Sequence, residues 1–476
     1  MKSNIFLSDK RILAVDFFRG LALFGVVLVH SIMFGVFYTI DNTLATIPLP
    51  ILILLAPLVL TAPLAGLFAF ISAVSKVYIS QKRLKNHIPL KIVLQPILLT
   101  SAVLLLLHFV YTVIFRDPSS SMFYGNSVNE SLLSASIRQW EWTLPRFESL
   151  LYMNAISMIC MTGLITAAAV RFFSRRKTEL NRILKILSAA GIISVFSAPF
   201  IWALFWKPLV WFYNSGGGLR LFSIPLSFLA ARMQNLPGIL PFIFFGLWFG
   251  FLLSSHPTYG VLIRKTRPFF ILFTVLFFCA VGFKVFLTYG VGTVFRNFLE
   301  RTGILSVFAW NTPGITGKNL MGAFFDYRIL PTEFHMFGLM LIFGFFPVLL
   351  RYLDYCDADK RIIRQNKIHP VVRFGTLSLT IFFLESSVSL LFSKPFHILL
   401  GGELSPQMNP ITPDRFMLSP QIWLLFPVII LFFWGILLKF WEKIGYAGSL
   451  EWIITKATAP LRKLKSEKMN QGADKQ

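Results

Sequence analysis

Charge is scarce in this chain. Only 14% of its residues are Asp, Glu, Lys or Arg, where a soluble domain carries about a quarter. An ordinary water-soluble globular domain is thereby excluded. Cysteine is scarcer still. Cys160, Cys279 and Cys356 are the whole complement, too far apart in sequence for zinc-ligand spacing or a disulfide framework. No metal site is expected. Phosphate loops are missing too, because the run Gly216–Gly218 lacks the strand and helix context that such a loop needs. There is no internal repeat and no segment that reads as a soluble domain.

What is abundant is apolar. Hydrophobic residues make up 55% of the chain and aromatics 16%, with 52 Phe and a mean hydropathy of +0.69. Apolar runs of about 20 residues are long enough to cross a bilayer as helices. Ten spans are expected, near 12–38, 57–79, 92–115, 147–170, 183–206, 236–255, 268–290, 332–350, 371–393 and 420–440. The first is too long for a signal-peptide core and lacks a small-residue cleavage site, so it is expected to be retained. The fold class is thus an all-α polytopic membrane protein. It comprises one transmembrane domain over 1–440 and a basic tail over 441–476 with a short interfacial helix.

The net charge of +24 has a topological explanation. When the connecting segments alternate between two sides and each Lys and Arg within a span goes with the nearer one, the side with both termini receives 32 of the 45 Lys and Arg. Acidic residues divide 10 to 11 and do not discriminate, as expected of an orientation rule that counts only Lys and Arg. Both termini are expected in the cytoplasm. The positive excess then reflects topology and contact with anionic membrane lipids, not nucleic-acid binding. The opposite side carries longer irregular segments near 39–56, 116–146, 207–235, 291–331 and 394–419, the kind of loop that forms sites or lids.

The first span, RILAVDFFRGLALFGVVLVHSIMF, holds Asp16, Arg19 and His30. At about 100° per residue, Arg19 falls roughly −60° and His30 roughly −40° from Asp16, so all three share one face. The rise from Arg19 to His30 is about 16 Å. Ionisable groups inside a span mark a functional site by default. His30 is the only His expected in the middle of a span. A second constellation lies in VVRFGTLSLTIFFLESSVSLLFS, where Arg373, Thr376, Thr380 and Ser387 fall on one face of a straight helix. Those hydroxyls are common interhelical glue. Glu385 is expected about 21 Å from the cytoplasmic end, at the depth of His30, and must be paired or protonated there.

Other polar residues carry less. Glu333 and His335 open a span, where an acidic group suits a helix N-terminus. Arg138, Glu141, Arg146 and Glu148 read as surface ion pairs, and His108 and Lys284 as snorkelling or locally bonded groups. Pro48, Pro50, Pro57 and Pro63 forbid one straight helix before the second span. A re-entrant piece and a kinked helix start both fit.

The residues Arg11, Asp16, Arg19-Gly20 and His30 resemble the first-helix signature of the transmembrane acyltransferase superfamily, with an Arg–His interval like that of acyltransferase family 3. Phe374-Gly375, Leu379-Thr380, Glu385-Ser386 and the tail Tyr446–Trp452 (YAGSLEW) look like the YeiB-type family of that superfamily. That family usually has Asn where this chain has His30, Gln for Glu385 and Pro for Ser449. His in place of Asn supplies a base. The resemblance implies an enzyme of a bacterial inner membrane. It would transfer an acyl group, often acetyl from acetyl-CoA, to a hydroxyl or amine of a glycan or other envelope acceptor. On that reading Arg19 meets the donor's phosphate end with Asp16 paired to it. His30 is the catalytic base or transient acyl carrier, and Glu385 orients it or binds the acceptor. A transporter or flippase for a glycan, lipid or small anion would use the same line of groups.

Overall fold

A computed structural model describes residues 12–31, 65–116, 119–120, 128–129, 131–139, 142, 144–231, 235–288, 332–399 and 420–456. The proline-rich approach to the second span and the loops over 291–331 and 400–419 lie outside the described residues. Among the described residues the regular structure is helical, apart from a two-residue antiparallel pairing of Ser119–Ser120 with Val128–Asn129. In order, the helices are α1 (Leu13–His30), α2 (Ala65–Lys85), α3 (Leu90–Val110), α4 (Leu132–Gln139), α5 (Ala155–Arg175), α6 (Leu180–Ser215) and α7 (Ser223–Ala230). They continue with α8 (Leu236–Ser254), α9 (Tyr259–Thr288), α10 (Thr332–Leu353), α11 (Ala358–Thr376), α12 (Ser378–Leu399) and α13 (Pro420–Lys443). A tail helix over 450–456 follows.

Among the described residues, eight helices are long and apolar enough to cross a membrane: α1, α3 with its continuation to Phe115, α5, the first part of α6, α8, α9, α10 and α13. The chain is an integral helical membrane protein. Two expectations change. Residues 207–230, expected to be irregular, are helical, because α6 runs on to Ser215 and is followed by a 3-10 turn (Gly217–Phe222) and α7. The expected span 371–393 is not one helix either. Leu377 leaves the helical region (φ −107°, ψ 36°), and α11 and α12 meet there at a bend of 71°. Arg373 and Thr376 therefore lie on one helix and Thr380 and Ser387 on another, so they do not form a single stripe.

Hydrogen bonds tie the basic connections together. Lys85 donates to the Ser254 carbonyl at 2.5 Å, Lys265 to Asn181 at 3.0 Å and the Tyr355 hydroxyl to the Pro257 carbonyl at 2.9 Å. The N-terminus of α1 joins them from a distance. Its first N–H groups have no local side chain to accept them, and Leu13 and Ala14 each donate at 2.9 Å to the Asp354 carboxylate just past α10. Arg361 closes on the same carboxylate at 3.4 Å. An acidic group is favourable at the positive end of a helix. Asp354, 2% exposed, thus fixes the height of α1 in the bundle.

In lipid, helices associate by packing density, not by exclusion of water. Phenylalanine supplies that density here. Phe70, Phe249 and Phe346 meet pairwise at 5.4 Å between ring centroids, and Phe18 of α1 stacks on Phe346 at 5.5 Å. Across α1 and α11 the contact is made by glycines instead. A Cβ on Gly20 would stand 2.0 Å from the Val371 carbonyl oxygen, and one on Gly375 would stand 2.9 Å from Gly20 N. Only hydrogen fits at either position, so the glycine after Arg19 sets how closely α11 approaches.

Candidate functional site

Two polar centres stand on the helices that pack around α1. At the first, His30 Nδ1 lies 2.5 Å from Glu385 Oε1, across a sequence separation of 355 residues. His30 closes α1, and Glu385 is seven residues past the start of α12, about 10 Å along it. Its depth therefore runs from the start of α12 and not from a straight helix begun at Val371. The Glu385 side chain is 1% exposed and the His30 side chain 28%. When Glu385 is ionised it can only accept, which favours the tautomer with the proton on Nδ1 and the lone pair on Nε2. An ionised carboxylate at this position would select the imidazole tautomer that can act as a base at Nε2. The hydroxyls of Ser386 and Ser389, one turn on, are buried without a partner among the described residues.

The second centre is a cavity of about 320 Å³ nearer the basic end. Arg19, Ser72, Ser75, Lys76 and Glu451 give it polar walls, while Leu104, Ile156 and Phe382 close it with apolar ones. Arg19 Nη2 is 3.4 Å from Ser75 Oγ. Lys76 donates to Ser72 Oγ at 2.7 Å and to the Ile159 carbonyl at 3.4 Å. Phe382 separates the two centres along α12, with Glu385 one turn further on, about 4.5 Å.

The broken helix explains how Glu451 reaches this cavity. Breaking the chain at Leu377 exposes the first N–H groups of α12, which need acceptors. Glu451 of the tail helix supplies them. Its Oε1 accepts from Leu379 N–H at 2.6 Å and Thr380 N–H at 3.3 Å, and its Oε2 accepts from the Thr380 hydroxyl at 2.5 Å. The Leu450 N–H donates back to Thr380 Oγ1 at 2.9 Å. Burial pushes the Glu451 carboxyl above the usual carboxylate range, against the pull of these donors. Part of the tail is accordingly built into the bundle, beyond the interfacial role expected of it.

The remaining candidates divide. Asp16 is buried at the start of α1, close enough to Asp354 for their charges to interact, and it is not part of the cavity wall that includes Arg19. Glu148, expected in surface ion pairs, is fully buried in a 3-10 turn (Phe147–Leu151). His108 is also fully buried, well inside the helix that runs on to Phe115, so His30 is not the only histidine within a span. Its Nδ1 lies 3.2 Å from Asn154 Oδ1, the N-cap of α5. His335 packs against Phe242 at 6.0 Å. Arg373 and His369 both meet Glu442 of α13, at 2.7 and 3.2 Å.

Sequence reasoning missed Lys76 and Glu451. Lys76 carried the same signal as Arg19, a cation inside an apolar segment. Glu451 lies outside every span and carried only its place in the YAGSLEW tail. Among the described residues there is no cluster of metal-ligating side chains. Comparison with protein-family models, with curated proteins and with solved structures finds no match.

Proposed function

We propose that this protein is a membrane-embedded acyltransferase. It moves an acyl group, acetyl in the simplest case, from cytoplasmic acyl-CoA to an extracytoplasmic hydroxyl or amine of a glycan or other envelope component. The observation that carries this reading is the 2.5 Å contact between His30 and Glu385, a base held by a carboxylate at one end of the helix that presents Arg19 nearer its other end. In this reading α2 and the broken α11–α12 pair complete ten spans, and the basic end faces the cytoplasm of a bacterial cell with both termini on that side. The Lys and Arg bias supports that orientation.

The chemistry follows from the geometry. The donor's phosphates enter at the basic end, where the Arg19 guanidinium offers a planar fork for phosphate oxygens. The thioester arm then runs toward His30, about 16 Å along α1. As the acceptor oxygen attacks the thioester carbonyl, its proton passes to His30 Nε2. The tetrahedral intermediate collapses with cleavage of the C–S bond, and the imidazolium returns the proton to the leaving thiolate. Glu385 holds the imidazole in the receptive tautomer and offsets the imidazolium charge.

His30→Gln tests this directly, because Gln keeps hydrogen bonding but has no basicity. Both His30→Gln and His30→Ala should abolish transfer, while expression and CoA binding persist. Near-wild-type transfer by His30→Gln would overturn the assignment of the base.

The broken α11–α12 pair favours a second reading. Discontinuous helices with capped half-helix ends form substrate sites in many transporters. A transporter or flippase would deliver its substrate unmodified and release no free CoA, which separates the two readings.

A further inference from the structure

The acyl-transfer mechanism leaves Lys76 without a task. Its ammonium has three donors, and Ser72 and Ile159 take two of them. Among the described residues no carboxylate lies within ion-pairing distance of it. It is close enough to Arg19 for the two cations to repel each other, and both line the same cavity. Glu451 is the one carboxylate on the described wall, and both of its oxygens are engaged by Leu379 and Thr380. The described wall thus presents two cationic side chains, Arg19 and Lys76, and one carboxylate, which Leu379 and Thr380 hold.

Where that anion sits is informative. Backbone N–H groups at the start of a 22-residue helix, together with a hydroxyl and two cations, are the partners a phosphate ester selects. Here a carboxylate from the chain itself holds the position. We propose that the cavity is an anion seat for a phosphate ester, with Lys76 as its second cation, and that Glu451 is a surrogate anion displaced when the ester enters. The cavity is at the small end for ligand pockets. Glu451, Ile454 and Thr455 of the tail helix form part of its wall, so a phosphate group that displaces Glu451, pyrophosphate included, moves that helix as it enters. The tail is then a gate opened by the ligand. The proposal rests on the acyl-transfer reading only for the natural ester.

The test uses the full-length protein in nanodiscs of zwitterionic lipid, with inorganic pyrophosphate as the probe and no acyl donor. Calorimetry should show that Lys76→Met weakens pyrophosphate binding on the order of tenfold, as expected for one charged hydrogen bond. Lys76→Arg should restore it, and Glu451→Gln should tighten it by removing the competitor. A Thr455→Cys reporter in a cysteine-free background leaves Glu451 intact, and its maleimide labelling should accelerate when pyrophosphate is added. Absence of pyrophosphate binding, unchanged affinity in Lys76→Met or unchanged labelling would each overturn the proposal. Acceleration by coenzyme A assigns the ester to a soluble donor, and acceleration by phosphatidylglycerol in the disc assigns it to a lipid headgroup. Acceleration by neither overturns the ester. A protein that binds pyrophosphate but transfers no acyl group keeps the seat and loses the acyl-transfer reading. One that transfers normally while Lys76→Met binds unchanged loses only the seat.

Discussion

Replacing Glu385 by Gln isolates what the carboxylate does for His30. The amide fits the same volume and enters the same 2.5 Å contact, but it can donate as well as accept. If its oxygen faces Nδ1, the tautomer is kept and only the charge is lost. A hydrogen bond to a charged partner is worth about 1.5–3 kcal/mol against about 1 kcal/mol for a neutral one. The cost is then on the order of 1–2 kcal/mol, or about tenfold in rate. If the amide nitrogen faces Nδ1, the imidazole must carry its proton on Nε2, and general-base catalysis is lost altogether, about 10²–10⁴-fold. Glu385→Gln should therefore lower kcat by at least about tenfold. KM for acyl-CoA should hold, because Glu385 is not part of the Arg19 cavity wall. Glu385→Asp should be as damaging for a different reason. Losing one methylene retracts the carboxylate by about 1.5 Å, which takes the contact beyond hydrogen-bond range. The assay is transfer of radiolabelled acetyl from acetyl-CoA in membranes that retain their native acceptor, with thiol release followed in parallel. If both variants turned over within twofold of wild type while His30→Gln was inactive, Glu385 would not be the residue that orients the base.

Three further outcomes are expected. Arg19→Lys should weaken CoA binding while preserving the fold, because Lys keeps the charge but lacks the planar fork; equal binding by wild type and Arg19→Ala would remove Arg19 from the donor site. In a cysteine-free background, Ser119→Cys should be labelled from outside intact cells and Ser174→Cys only after permeabilisation, and labelling of Ser174→Cys in intact cells would reverse the topology. Burial pushes the Asp354 carboxyl up to about 6, against the pull of the Ala14 and Leu13 N–H groups. The unfolded value is about 3.9, so the folded state binds the proton more tightly between about pH 4 and pH 6, and stability falls as pH rises through that window, by at most about 3 kcal/mol. Asp354→Asn should flatten that slope in detergent thermal unfolding, and an unchanged slope would exclude Asp354 as its source.

The span pattern was legible because each helix must be apolar over most of its own length, a local property. The contacts that make the site are not local. The sequence pattern placed Glu385 and His30 at one depth, but their contact depends on α12 leaning against the end of α1, across 355 residues. The break at Leu377 was invisible because no proline or loop composition marks that position. It depends instead on Gly375 closing against Gly20 and on Glu451 satisfying the N–H groups that the break exposes. A straight helix through 371–393 therefore gives way at Leu377, where tertiary contacts outweigh local propensity. Lys76 is a different case. The reasoning that singled out Arg19 applied to it equally, but its position six residues before Lys82 made it look like one more cation at a basic helix end.

The ring of Phe382, which stands between the two centres along α12, constrains the mechanism. With Leu104 and Ile156 it gives the Arg19 cavity an apolar wall, where water has few polar partners. A hydrated path from Arg19 to His30 would let protons and ions leak across the membrane, so a thin apolar septum is what a transfer site linking the two sides needs. In the acyl-transfer reading the donor's arm must pass this septum without opening it to water. An aromatic ring can yield by a change of rotamer, at far lower cost than moving a helix. Phe382 is 9% exposed and packs on Tyr111 at 5.5 Å, so it is buried against a second ring that limits its swing. The His30–Glu385 pair beyond the ring can then remain in place, and the moving part between the two centres reduces to one side chain.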